Sequence, residues 1–189
     1  MASHRCPWWL GYFLVSPIRK LVEDPRKILA PHVREGMLVL EPGPGMGFFT
    51  LELARLVGPK GRVVAVDVQE RMLAALRRRA ARAGLLDRLE TRLATPGNLG
   101  IADLDGQVDF ALLFHMLHEV PNQAALLASM HAALKPDGRL LLVEPRGHVS
   151  AAQFAGSLAL CRTVGLVDAD VAGVNEPLHA LLSKPAQPR

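Results

Sequence analysis

The stretch "VLEPGPGMGFFT", residues 39–50, sets one carboxylate, Glu41, just ahead of three glycines at alternate positions, Gly43, Gly45 and Gly47. Glycine weakens any regular element it interrupts, so the backbone here must turn sharply or come unusually close to something. A cradle for a small ligand is the chemistry such a loop offers, and Asp67 follows Gly47 at about 20 residues, a spacing suited to a carboxylate that grips two ribose hydroxyls. Two further groups of polar residues each follow an apolar run: His115, His118 and Glu119 after "VDFALLF", and Glu144, Arg146 and His148 after "RLLLV". Imidazoles and carboxylates are the side chains that accept and pass protons near neutral pH.

The elements that must position these residues alternate along the chain. "EDPRKILAPHV" reads as a short helix with Asp24 as N-cap and Pro25 in its first turn. "MLVLE" is a short apolar strand, and "FFTLELARLVG" an amphipathic helix stopped at Gly58-Pro59. "GRVVAVD" and "ERMLAALRRRAARAG" repeat the strand–helix pair, "LETRLA" is a weaker third strand and "VDFALLFH" a strong fourth. "NQAALLASMHAAL", capped by Asn122, leads through the turn "KPDG" into the fifth strand "RLLLVEP". A helix over "SAAQFAGSLALCRTVG", capped by Ser150, precedes two short closing strands, "DVAGV" and "LHALLSK". Apolar strands separated by helices predict an α/β fold, a doubly wound and mostly parallel sheet with helices on both faces. The last two strands are too close for a parallel crossover and must run antiparallel to each other.

Composition fits one globular domain of 189 residues, half of them apolar, with a modest formal charge of +4. The triplet Arg77-Arg78-Arg79 reads as a solvated helix face rather than a nucleic-acid patch, and no nucleic-acid partner is expected. Two distant cysteines, Cys6 and Cys161, suggest neither a disulfide framework nor zinc, and fit a reducing, cytoplasmic setting. No apolar run is long enough to span a membrane. The N-terminal "MASHRCPWWLGYFLVSP" lacks the small-residue cleavage site of a signal peptide.

Three features narrow the ligand. The dinucleotide fingerprint G-x-G-x-x-G is broken, because Phe48 stands at its sixth position. Glu41 would repel a phosphate and attract a cation, and no Gly-Lys-Ser/Thr follows to make a Walker loop. S-adenosylmethionine is an adenosine ligand that carries positive charge and no phosphate. The chain resembles the class I S-adenosylmethionine-dependent methyltransferases over nearly its whole length, through "VLEPGPGMG", "VVAVD", "VDFALLF" with "MLHEVPN", and "LKPDGRLLLVEP". Within that class it is most similar to bacterial relatives of the ubiquinone/menaquinone C-methyltransferases. The resemblance implies a seven-stranded sheet in the order 3-2-1-4-5-7-6 with strand 7 antiparallel.

It also implies a cofactor site. Glu41, Gly43, Gly45, Met46 and Gly47 would surround the methionine part, and Asp67 would hold the ribose. Val68 and Met72 would lie beside the adenine, with Phe114 and His115 flooring the pocket. Where many members carry an acid after strand three, this chain has "LATPGNLG", so Asn98 or a backbone carbonyl would serve there, with Thr95 also beside the cofactor. Candidates for proton transfer are His115, His118, Glu119 and His148, none with the spacing of a metal site. The expected partner is a small, lipophilic methyl acceptor. Residues 1–30, with Trp8, Trp9, Tyr12 and Phe13, read as an aromatic cap: a core or oligomer contact such as a homodimer, a lid over the acceptor, or a membrane-surface anchor. A non-catalytic S-adenosylmethionine-binding protein and a nucleotide-dependent oxidoreductase stand as alternatives, the latter weakened by Phe48 and by a lone tyrosine with no Tyr-x-x-x-Lys.

Overall fold

The computed structural model describes residues 23–95, 97–169 and 178–186. The aromatic stretch before Glu23 and the segment "DVAGV" lie outside the described residues. One seven-stranded sheet has the order β3-β2-β1-β4-β5-β7-β6. Its strands are β1 (Leu38–Pro42), β2 (Arg62–Asp67), β3 (Leu89–Leu93), β4 (Val108–Phe114), β5 (Leu134–Val143), β6 (Val167–Asp168) and β7 (His179–Ser183). The helices are α1 (Pro25–Leu29), α2 (Thr50–Leu56), α3 (Glu70–Arg82), α4 (Gln123–Ala133) and α5 (Ala151–Thr163). By contacts the described residues fall into two compact units, one up to Gly100 and one from Ile101 onward.

In the first unit β1 pairs parallel with β2, and β2 with β3. Val39, Leu40, Val63, Val64 and Ala65 are fully buried, as strands covered on both faces require. Each valine and leucine among them contributes about 1.5–3 kcal/mol of hydrophobic free energy. Asp24 caps α1 by accepting from the backbone N–H groups of Arg26 and Lys27. The arginine triplet departs from the solvated face expected of it. Arg77 reaches Glu70 and Thr91, Arg79 donates to the Met46 carbonyl, and of the three only Arg78 is exposed.

In the second unit β4 and β5 run parallel, whereas β7 is antiparallel to both β5 and β6. The sixth strand is Val167–Asp168, which pairs with Ser183 and Leu182, so the antiparallel ending is formed by a segment nearer α5 than the sequence pattern suggested. The "KPDG" stretch also differs from a free turn. It lies inside β5, with Asp137 at a φ of 63° and the register against β4 shifting between Val108 and Phe110. Two backbone bonds explain this: Asp137 N–H donates to the Lys184 carbonyl and Lys184 N–H to that of Gly138, each at 2.9 Å. The Lys184 ammonium then caps the end of α4 through the carbonyls of His131 and Leu134. Among the described residues no helix is long and apolar enough to cross a membrane.

Helix α5 begins with a full capping box, Ser150 accepting from the Gln153 N–H while the Gln153 side chain accepts from that of Ser150. Ser150→Ala removes one half of it and is expected to cost about 1 kcal/mol in urea unfolding. A change below a few tenths of that would show that α5 is held by packing alone.

Candidate functional site

The glycine loop is a continuation of the β1–β2 ladder. Glu41 and Pro42 lie opposite Ala65 and Val66, and Gly43 N–H donates to the Val66 carbonyl at 2.8 Å. The chain then turns, Gly47 N–H returning to the Pro44 carbonyl at 2.9 Å. Gly47 has a φ of +86°, a backbone that favours glycine, and a Cβ there would stand 2.3 Å from Leu76 Cδ1 and displace that side-chain end. A Cβ at Gly45 would meet nothing within 4 Å, which marks that side of the loop as open.

Glu41 is only 4% exposed, and its Oε2 has no hydrogen-bond partner among the described residues. Burial pushes its carboxyl group up to about 7, an effect enlarged by the Asp67 charge and partly offset by the Thr50 hydroxyl. The Thr50 interaction falls short of a well-formed hydrogen bond, since that hydroxyl is itself unpartnered. A buried carboxylate with an unused oxygen is costly unless a donor or a cation arrives. At the end of β2, Asp67 is also nearly buried, and its Oδ1 accepts from Gln69 N–H at 2.9 Å, which fixes the carboxylate's orientation.

The other residues expected around the ligand take varied positions. Val68 is 49% exposed. Met46 and Met72 are buried in one cluster with Ala75. Thr95 and Asn98 exchange two backbone hydrogen bonds, while the Asn98 side-chain oxygen accepts from Gly100 N–H at 2.8 Å. Asn98 Oδ1 is therefore already engaged once within its own turn.

In the second unit β4 ends at Phe114, and His115 follows with a φ of 54°, an uncommon backbone for a non-glycine residue. The two rings are in contact, their centroids 4.2 Å apart. His118 lies in a short 3-10 turn, Leu117–Glu119, and is held twice by Glu144. Its backbone N–H donates to Oε1 at 3.0 Å and its Nδ1 lies 2.6 Å from Oε2. Glu144 is 3% exposed; burial raises its carboxyl pKa, and the bonds to His118 counteract part of that rise. His148 stacks near His118 with ring centroids 6.3 Å apart, while the neighbouring Glu119 is exposed.

Glu144 is the residue that sequence reasoning left out of the proton-handling set, although it was legible as a polar residue at a strand end. The signal was a repeated pattern: β1 ends in "LEP" and β5 in "VEP", each placing a buried glutamate at the carboxyl end of a parallel strand.

A sheet of this order, with a carboxylate-bearing glycine loop after its first strand, defines a Rossmann-like protein built to hold a nucleoside ligand. The chain belongs to the methyltransferase domain family, whose sequence profile it matches over residues 39–138. It is 35% identical over 112 residues to ubiquinone/menaquinone biosynthesis C-methyltransferases of Klebsiella pneumoniae and Escherichia coli, a match covering 59% of this chain and 44% of each relative. The matched region thus spans less than half the length of these curated relatives. Among solved structures, a SAM-dependent methyltransferase from Aquifex aeolicus superposes with a TM-score of 0.80 at 24% identity, over 95% of this chain and 97% of that one. A putative S-adenosyl-L-methionine-dependent methyltransferase from Methanococcus maripaludis gives 0.77 at 15% identity, over 100% and 99%. At these identities the likeness is one of fold.

Glu41 generates a pH dependence with a definite sign. Below about pH 4.5 it is protonated in both folded and unfolded chains. Between about 4.5 and 7 only the unfolded chain ionises, so stability falls as pH rises, and above about 7 the loss is complete. The loss amounts to about 3 kcal/mol. The difference in urea-unfolding free energy between Glu41→Gln and the parent protein should therefore grow in favour of the variant across this window. Parallel pH profiles would show that Glu41 is not held neutral.

Proposed function

We propose that this protein is an S-adenosylmethionine-dependent methyltransferase acting on a small, lipophilic acceptor. The observation that carries the reading is the buried, unpartnered Glu41 oxygen beside an open glycine loop. A carboxylate there suits a cationic ligand and disfavours a phosphate. Glu41 would receive the amino group of the cofactor's methionine part, and Asp67 its ribose hydroxyls. When bound, the cofactor supplies a methyl group already activated on a sulfonium. The protein's share is then to align the acceptor and exclude water.

An acceptor that must lose a proton needs a base, and His118 is the group we assign. With its backbone N–H on Oε1 and its Nδ1–H on Oε2 of Glu144, His118 presents Nε2 as the proton acceptor. Glu144 holds the ring in that tautomer and stabilises the imidazolium that forms. A quinol-like acceptor is supported by the names of the curated relatives, which concern ubiquinone and menaquinone biosynthesis. A reducing, cytoplasmic setting accords with the buried free thiol of Cys161; recovery of the protein from an oxidising compartment would overturn that placement.

Calorimetry is expected to give micromolar binding of S-adenosylmethionine and S-adenosylhomocysteine and no binding of NAD. Asp67→Ala should lose about 3–6 kcal/mol of that binding, two charge-assisted hydrogen bonds at ~1.5–3 each, with little change in ligand-free melting. Tight NAD binding would overturn the reading.

Transfer of a labelled methyl group to hydroquinones tests the base. His118→Ala should slow turnover about 100-fold or more at unchanged S-adenosylhomocysteine affinity, and Glu144→Gln should shift the acid limb of the rate profile. Full activity of His118→Ala would remove it from the mechanism.

A further inference from the structure

One face of α3 serves the glycine loop. Met72, Ala75, Leu76 and Arg79 lie at the i, i+3, i+4, i+7 spacing that places residues on a single helical stripe. Met72 and Ala75 bury the Met46 side chain, Leu76 fills the space a Cβ on Gly47 would need, and Arg79 Nη1 donates to the Met46 carbonyl. All four thus meet two consecutive loop residues.

The consequence falls on a single peptide group, the one joining Met46 to Gly47. Its carbonyl is taken by Arg79 and its N–H by the Pro44 carbonyl. A peptide plane held at both polar ends cannot flip without breaking two hydrogen bonds, one of them to a charged group. Arg79 is itself only partly exposed, and burial, followed by the charge of Arg55, lowers its pKa. A guanidinium in such surroundings needs an acceptor, and the loop carbonyl provides it.

We infer that Arg79 is a positioning residue for the cofactor loop, locking the Met46–Gly47 peptide from behind so that the loop is preformed before ligand arrives. The inference rests on the cofactor reading given above for its effect on affinity, but not for its effect on the loop. Preorganisation strengthens binding by removing an ordering cost that the ligand would otherwise meet. The side chain need not touch the cofactor to do this.

The test uses the full chain with Arg79→Met, which keeps most of the apolar stem but donates no hydrogen bond, and Arg79→Lys, which restores a donor. In Arg79→Met, ligand-free amide hydrogen exchange at Gly47 should accelerate at least about tenfold, with exchange in β1 and β2 unchanged. S-adenosylhomocysteine should bind about ten- to thirtyfold more weakly, and KM for S-adenosylmethionine should rise while kcat at saturation holds. Arg79→Lys should recover part of both effects. Unchanged exchange at Gly47 would overturn the inference, whatever happens to affinity. So would exchange that rises equally throughout β1 and β2, since Arg79 would then be a general structural residue. Faster exchange at Gly47 in a protein whose parent form binds no S-adenosylhomocysteine would uphold the lock and refute the cofactor reading instead.

Discussion

Glu41 is a carboxyl group taken out of water with one oxygen bonded to nothing, and an arrangement of that kind costs free energy that the surrounding structure must supply. It persists because its strand has no freedom to turn it outward. β1 is fixed to β2 residue by residue, Val39 and Leu40 before Glu41 are fully buried, and the Gly43–Val66 hydrogen bond continues the ladder past it. The fold tolerates the group by keeping its proton up to about neutral pH. A cationic ligand reverses that preference, because the ionised form then has a partner. Binding a cation at this position is thus coupled to loss of a proton.

Glu144 begins from the same circumstances and ends differently. It too follows an apolar parallel strand and is buried to the same degree. Both of its oxygens, however, are used by His118, one through the backbone and one through the ring. Its charge is spent inside the protein, on holding an imidazole, whereas Oε2 of Glu41 has no hydrogen-bond partner among the described residues. Two glutamates in near-identical "LEP" and "VEP" contexts therefore acquire opposite chemistry from one neighbour.

Much of this was legible in the sequence because it depends on local periodicity. Apolar strands alternating with helices specified the doubly wound sheet, and Asp24, Asn122 and Ser150 marked helix starts that their side chains do cap. The glycine loop was legible because only close backbone contact or positive φ explains glycine at such a spacing. Other features arise from pairings between distant segments. "KPDG" has the composition of a turn, yet Lys184 draws it into β5, and Val167–Asp168 forms a strand too short to leave a periodic signal. The pairing of His118 with Glu144 joins residues 26 positions apart, so neither motif alone could reveal it.

The arginine triplet shows why the remainder was hidden. Three consecutive arginines on an amphipathic helix point in directions about 100° apart, so one run of identical residues must divide among different environments. Arg78 meets solvent, Arg77 bridges to β3 through Thr91, and Arg79 falls on the stripe beneath the glycine loop. Composition treats the three alike, whereas helical geometry does not. The same stripe explains why Met46 and Met72, which the family resemblance sets around the cofactor, are packed against one another. Their side chains fill the space between loop and helix, and the loop can then leave the side at Gly45 open. A loop that must stay open on one side is held most economically from the other, by apolar packing for its shape and by one charge-assisted hydrogen bond for its peptide orientation.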